Sequence, residues 1–201
     1  FSFSSPFLSK SLLTGVFFPA WVWGPRRKAQ KRFVSWSYHE ALTIRDNRKL
    51  RLLIESPVYR ALWGDVFHLV GDQNEKKLFE TSRTGWSFAS SIHGGGTGHR
   101  GDFLRVDDPH KVHEAESDAV REEVNQIFAE TLQSRTNDAE SSFVVVMQRV
   151  HERDVSGMIL SEGLGFDHLC IPMEYEGASP SRTALSFRDP RTEEGDLAFP
   201  E

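Results

Sequence analysis

The feature that most constrains this 201-residue chain is a short, mostly apolar run that ends in two adjacent carboxylates. Residues 103–106, Phe-Leu-Arg-Val, suit a buried strand, and Asp107 and Asp108 follow directly. Pro109 comes next; it cannot continue a strand, and it biases Asp108 away from helical conformation. One interpretation is therefore a strand that stops at an Asp-Pro turn. The other is a strand that brings two acids to a metal-bound phosphate, with Asp107 on the metal and Asp108 orienting the attacking water.

Helical and strand patterns alternate along the chain. The predicted helices cover 11–23 with an interruption near Pro19, 39–55, 57–63, 114–133 and 152–160. The predicted strands cover 32–38, 78–81, 86–89, 103–107, 143–147 and 167–171, and residues 1–9 suit a further strand. This order predicts an α/β domain built around a mostly parallel sheet flanked by helices. After Glu176 the composition turns to Gly, Ser, Pro, Arg and acids, which predicts a domain over 1–176 and an extended tail over 177–201.

Composition excludes some classes of protein. The net charge of −5 argues against a chain that coats nucleic acid with its whole surface, although the basic segment 26–32 suits either a solvated loop or a local DNA contact. Cys170 is the only cysteine, so no intramolecular disulfide can form, which fits a reducing cytoplasm. The apolar run 12–24 is shorter than the roughly 20 residues of a spanning helix and contains Pro19, so we expect no membrane association.

Three dipeptides in a fixed order carry a resemblance to a known family. They are Lys10-Ser11 before an apolar helix, Asp107-Asp108 after a strand, and Gln148-Arg149 after a second strand. In this combination most of residues 10–176 resembles the ATPase domain of the large terminase subunit of tailed bacteriophages, the motor that packages DNA into preformed capsids. The resemblance implies a P-loop NTPase-like sheet, ATP and Mg²⁺ as cofactors, and the host bacterial cytoplasm as the location, with transient attachment to the procapsid portal.

The resemblance also implies a role for each motif residue. Lys10 and Ser11 would bind the nucleotide phosphates, and the Ser11 hydroxyl and Asp107 would ligate Mg²⁺. Asp108 would be the catalytic acid that orients the water, and Gln148 would sense the γ-phosphate. Motors of this kind also use a cationic finger, often from a neighbouring subunit. The candidates are Arg100, which is our first choice as a catalytic residue, and Arg105 and Arg149. For each of them a surface or structural ion pair is the alternative interpretation.

The phosphate loop is where the chain departs from the family pattern. Large terminase subunits often resemble Pro-Pro-Arg-x-Gly-Lys-Ser here, whereas this chain has Ser5-Pro6-Phe7-Leu8-Ser9 before Lys10. A Cβ is a steric liability where the backbone needs positive φ or must touch phosphate. Either the loop is degenerate and the protein weak or inactive, or residues 1–9 come from an altered upstream reading frame. We favour the second, because the match sharpens from Lys10 onward. A second glycine-rich loop, 94–101, suits phosphate contact or a flexible connector.

The resemblance implies double-stranded DNA, a portal protein and a small terminase subunit as partners, and a homo-oligomeric ring during packaging. Residues 177–201 would then lead toward a nuclease domain outside this chain. Two other functions stay open. One is a non-catalytic prophage remnant that keeps interaction surfaces, and the other is a different P-loop nucleic-acid translocase, such as a helicase. The strand end Gln148-Arg149-x-His151 favours the terminase over the helicase.

Overall fold

A six-stranded mixed sheet forms the centre of the protein, with strand order β2-β3-β4-β1-β5-β6. The computed structural model describes residues 9–94, 98–178, 183 and 186–198, except for the side chains of 72–74 and 132–133. The strands are β1 (Phe33–Ser37), β2 (Leu69–Asn74), β3 (Leu78–Thr81), β4 (Trp86–Ser91), β5 (Phe103–Asp107) and β6 (Ser142–Val146). Neighbours among β4, β1, β5 and β6 pair in parallel, whereas β3 pairs antiparallel with β2 and with β4. The prediction of an α/β domain with a mostly parallel sheet flanked by helices is confirmed.

The helices connect and cover these strands. They are α1 (Lys10–Leu12), a π-helical segment (Leu13–Phe17), α2 (Phe18–Trp23), α3 (Glu40–Glu55), α4 (Pro57–Trp63), a 3₁₀ turn (Val112–Glu114), α5 (Asp118–Ser134) and α6 (Val155–Ser161). The first three are continuous and are called the N-terminal helical run below. Its π-helical segment ends at Phe17, two residues before Pro19. The sequence predicts an interruption there because Pro lacks the N–H that an α-helix requires. Within the described part of the chain, no helix has the length and apolar character that crossing a bilayer requires.

Two apolar clusters cover the opposite faces of the sheet. Side chains alternate along each strand, so Phe33 and Phe103 pack under the N-terminal helical run, α3 and α4, while Val34 and Leu104 pack under α5 and α6. The same alternation puts Arg105 on the Phe103 face. The polar residues of β5 therefore point toward the N-terminal helical run and α3, which is the relationship that builds the candidate site.

Four elements differ from the sequence predictions. One is α6, which begins at Val155 instead of residue 152. Residues 167–171 form no strand, so that prediction was wrong; Leu169 is buried there without ladder pairing, and burial alone accounts for the apolar pattern. Strand β2 was not predicted, because Leu69–Asn74 has no clear alternation and pairs with β3 through an irregular register. Helix α5 begins at Asp118 instead of residue 114, because Glu114 belongs to the 3₁₀ turn Val112–Glu114.

The described part of the C-terminal tail folds back on the chain before it. The Tyr175 amide donates to the Asp196 carbonyl over 2.8 Å, and the Ala198 amide donates to the Met173 carbonyl over 2.8 Å. Arg191 lies inside this turn, where it donates to the Pro172 carbonyl over 3.0 Å and is paired with a carboxylate two residues earlier. In its described part, the segment that we expected to be extended is therefore held in a compact turn.

Candidate functional site

The carboxyl ends of the parallel strands bring the sequence-predicted acids to one edge of the sheet. In the strand register, Ser37 of β1 lies beside Asp107 of β5, which lies beside Val146 of β6. Asp108 then continues the chain across this edge: its amide donates to the Val146 carbonyl over 2.8 Å, and its carbonyl accepts from the Tyr38 amide over 3.1 Å. The backbone of the double acid is thus fixed from both neighbouring strands.

Asp107 is buried and only half satisfied. The residue is 4% exposed, and its Oδ2 lies 3.6 Å from Nη1 of Arg105. Its Oδ1 is buried and has no hydrogen-bond partner among the described residues. Leaving a buried polar atom unpaired is costly, and such an atom in a native fold commonly marks a ligand, ion or water position. This carboxylate oxygen therefore fits a divalent cation of the Mg²⁺ type, which prefers oxygen ligands.

Asp108 has an unusual backbone conformation and a perturbed carboxyl group. Its φ is +43°, a left-handed value that is uncommon outside glycine. Its Oδ1 accepts a hydrogen bond from the backbone N–H of Gln148 over 3.0 Å. Burial and the neighbouring Asp107 charge raise the pKa of Asp108, against the opposing effects of the Gln148 hydrogen bond, Lys10 and Arg105. A carboxyl group with a raised pKa beside a second acid suits proton handling.

Lys10 begins the N-terminal helical run on the same side of the sheet. Burial lowers the pKa of Lys10, whereas the charges of Asp108 and Asp107 raise it, so its ammonium group lies within electrostatic range of the double acid. Ser9 precedes it with a φ of +47°, and its carbonyl accepts the first helical hydrogen bond, from Leu13, over 2.9 Å. Position 9 thus has the left-handed conformation that glycine adopts without strain, and Ser occupies it.

Ser11 is connected to the acids through Arg105. The Ser11 carbonyl accepts from Arg105 Nη1 over 2.9 Å, and Arg105 Nη2 donates to Oδ2 of Asp46 in α3 over 2.9 Å. The guanidinium is therefore buried within the chain, where it contacts the N-terminal helical run, α3 and β5. Arg105 is a buried ion-pair residue here and not an exposed finger.

Gln148 and Arg149 belong to the loop that follows β6. The backbone N–H of Gln148 donates to Asp108, as described above, and the residue is partly buried. Arg149 pairs with Asp154, at 3.1 Å between Nε and Oδ1, and also donates to the His151 and Glu152 carbonyls. Asp154 is fully buried and caps α6 by accepting from the Gly157 amide over 2.9 Å. Arg149 therefore holds this loop together.

Arg100 lies at the other end of the sheet. It is exposed and precedes the amino end of β5, whereas Asp107 ends that strand. The strand separates them by roughly 15 Å at about 3.3 Å per residue. Within one chain, Arg100 does not join the other predicted site residues. Positions 95–97 of the glycine-rich loop beside it, and residues 1–8 before Ser9, lie outside the described residues.

Sequence reasoning missed two residues of this site. Asp46 lies on the inner face of α3, four positions before buried Leu50, so an acid on an apolar stripe was the available signal. Gly15 has no pattern that identifies it; only the structure shows its contact with Arg105. Among the described residues, no group of three or more His, Cys, Asp or Glu side chains could hold a metal ion. A Mg²⁺ site with one or two carboxylates plus substrate phosphates needs no such group.

Compared with known proteins, the chain matches no family model and no curated protein.

Proposed function

We propose that this chain is a Mg²⁺-dependent ATPase domain of the large-terminase type, which couples ATP hydrolysis to the movement of double-stranded DNA. The observation that carries the proposal is the unpartnered, buried Oδ1 of Asp107, next to Asp108 and within electrostatic range of Lys10. Phosphoryl transfer requires a cationic side chain, a carboxylate that ligates a metal ion and a second acid around a single site. The mostly parallel sheet with its acids at the strand ends is consistent with a P-loop NTPase-like fold.

Each residue has a defined task in this proposal. Lys10 neutralises the β and γ phosphates, and Ser11 and Asp107 would hold Mg²⁺, which offsets the charge that develops on the transferring group. Asp108 orients the attacking water and accepts its proton. Its raised pKa makes it a better proton acceptor than an ordinary Asp, because proton transfer is most effective when the base has a pKa nearer to the working pH. The Gln148 side chain senses the γ-phosphate, and the hydrogen bond from its backbone N–H to Asp108 connects that residue to the loop after β6.

A second subunit completes the site in this account. Arg105 and Arg149 are each engaged in an ion pair within the chain, with Asp46 and Asp154 respectively. Arg100 is exposed, so it remains the candidate finger, supplied in trans within a homo-oligomeric ring. A portal protein and a small terminase subunit are the further proposed partners, and the host bacterial cytoplasm is the proposed location.

One observation favours a second candidate function, a non-catalytic remnant that keeps its interaction surfaces. Ser9 has a φ of +47° at the position where the family has glycine, so its side chain stands where the backbone would approach phosphate. A weakened motor would bind and hydrolyse ATP once glycine stands at position 9, whereas a remnant would do neither.

Release of inorganic phosphate from Mg²⁺-ATP tests the proposal. The purified chain and its Ser9→Gly variant are compared with Lys10→Ala and Asp108→Asn in each background. We expect turnover to rise in Ser9→Gly and to fall by roughly 100-fold or more when Asp108 is replaced, as for loss of a general base. Turnover that survives both the Lys10 and Asp108 substitutions would refute the ATPase assignment, and an inactive Ser9→Gly chain that also fails to bind nucleotide would favour the remnant.

A further inference from the structure

Arg105 joins three parts of the candidate site. Its guanidinium donates to the Ser11 carbonyl over 2.9 Å and to Asp46 Oδ2 over 2.9 Å, and its Nη1 lies 3.6 Å from Asp107 Oδ2. The side chain is 6% exposed. One planar, permanently charged group therefore contacts the N-terminal helical run, α3 and β5 at once, and a lysine ammonium could not reproduce this fork geometry.

Gly15 makes room for this guanidinium. A Cβ built on Gly15 would lie 1.9 Å from Arg105 Nη1 and 2.5 Å from its Cζ, far inside contact distance. Glycine inside a helix lowers helix stability relative to alanine. The position of Arg105 supplies the reason for it here, because any larger residue at 15 would displace the arginine.

We propose that Arg105 is a positioning residue for the metal site: it turns Asp107 so that Oδ2 faces the guanidinium and Oδ1 is left for the cation. The inference rests on the proposed ATPase function and deepens it. Ser11, the other candidate metal ligand, is held through its carbonyl by the same guanidinium. The spacing of the two candidate ligands is therefore set by one side chain that touches neither metal nor nucleotide. Groups that fix metal-ligating carboxylates in this way typically change metal affinity by about 10-fold to 100-fold when lost.

Gly15→Ala tests this inference without altering a charge or a candidate ligand. Its methyl group should push the guanidinium away from Ser11 and Asp107, which the NMR signals of the arginine side chain report as freer rotation. Gly71→Ala is the matched control, because a Cβ there meets nothing within 4 Å. All chains in this test carry Ser9→Gly, because Ser9 is expected to weaken nucleotide binding. The probe is Mn²⁺, titrated by electron paramagnetic resonance with millimolar non-hydrolysable ATP analogue present. We expect Mn²⁺ affinity to fall by roughly 10-fold in Gly15→Ala and to be unchanged in Gly71→Ala.

If Arg105 only supported the fold, its displacement would weaken nucleotide binding and metal binding together. If it positions the metal ligands, the affinity of Gly15→Ala for the same analogue in EDTA should match that of the Ser9→Gly parent chain. Unchanged Mn²⁺ affinity in a Gly15→Ala chain with a displaced arginine would overturn the positioning role while leaving the ATPase proposal in place. Failure of the Ser9→Gly parent chain to bind Mn²⁺ with the analogue would instead refute the metal site, and this inference with it.

Arg105→Lys provides the second variant, which decides the matter if Gly15→Ala does not fold. Lysine keeps the buried charge opposite Asp46 but has no fork to hold Asp107 and Ser11 together. Mn²⁺ affinity is expected to fall by roughly 10-fold in Arg105→Lys, with nucleotide affinity in EDTA retained. Mn²⁺ affinity equal to that of the Ser9→Gly parent chain would contradict the proposal.

Discussion

Arg105 and Asp46 form a buried ion pair, with Nη2 of the arginine 2.9 Å from Oδ2 of the aspartate and with 6% and 4% of their side chains exposed. The pair connects the strand that ends in the double acid to the centre of α3. Buried charges are tolerated when each compensates the other, and removal of one partner leaves the other uncompensated. The support beneath the candidate site therefore depends on both residues.

The first prediction concerns this pair. Asp46→Ala should lower the free energy of unfolding by about 3 kcal/mol, because Arg105 would keep its charge without its main partner. Asp46→Asn should cost less, since the amide oxygen can still accept the hydrogen bond. Urea unfolding followed by circular dichroism measures both. Asp65→Ala, which breaks the exposed pair with Arg27, is the control and should change stability little. Equal stability of Asp46→Ala and this control would argue against a supporting role for the buried pair.

The second prediction separates the two acids. Asp107→Asn should weaken the Mg²⁺-dependent part of nucleotide binding, because the oxygen left unpartnered by the protein belongs to this residue. By contrast, Asp108→Asn should keep Mg²⁺-nucleotide affinity and lower turnover strongly, since a water-orienting acid acts mainly in the transition state. Titrations with and without Mg²⁺, combined with turnover rates, distinguish them. An equal loss of nucleotide affinity in the two variants would show that the roles are not divided in this way.

The third prediction is a pH dependence of stability. Burial and then Asp107 raise the pKa of Asp108 in the folded chain. A folded-state pKa above the unfolded one means that the unfolded chain loses this proton first, so the contribution of Asp108 to stability decreases as pH rises through that interval. Asn carries no charge and keeps an oxygen for the Gln148 amide. In metal-free buffer, Asp108→Asn should therefore gain stability relative to wild type as the pH rises above the ordinary Asp value of about 4.

Urea unfolding of wild type and Asp108→Asn below and above that pH measures the difference. The matched control is Asp138→Asn, an exposed turn residue whose carboxylate accepts from the Glu140 amide. A constant stability difference for Asp108→Asn at every pH would contradict the raised pKa.

Much of the fold follows from local sequence, whereas the contacts that build the site do not. Strand β5 was recognisable because an apolar run ends at an Asp-Pro pair, and α3 because its apolar residues recur at helical spacing. Which residues lie beside Asp107 depends on how distant elements pack. The bond between Arg105 and the Ser11 carbonyl spans 94 positions, and no local pattern indicates it. The lack of strand at 167–171 has the same cause, since ladder pairing depends on neighbours that are remote in sequence.

The fourth prediction concerns the loop after β6. Asp154 is fully buried, accepts from the Gly157 and Val150 amides, and pairs with Arg149. Asp154→Ala should cost about 2 kcal/mol of unfolding free energy, because it removes a helix cap and leaves buried donors unpaired. Hydrogen exchange should show faster opening of this loop and of α6 than of β1. Uniformly faster exchange across the whole sheet would mean that Asp154 supports the entire fold and not this loop.

The proposed ATPase function requires that nucleotide binds between Lys10 and Asp107, with Ser9 as the obstacle. Calorimetric titration with a slowly hydrolysed ATP analogue and Mg²⁺ tests this claim, using the unmodified chain, Ser9→Gly, and Ser9→Gly combined with Lys10→Ala. We predict weak binding by the unmodified chain, tighter binding by Ser9→Gly because glycine adopts the φ of +47° without a side chain against the phosphates, and loss of that binding when Lys10 is removed. Equal binding by all three chains, or binding by none of them, would contradict the claim.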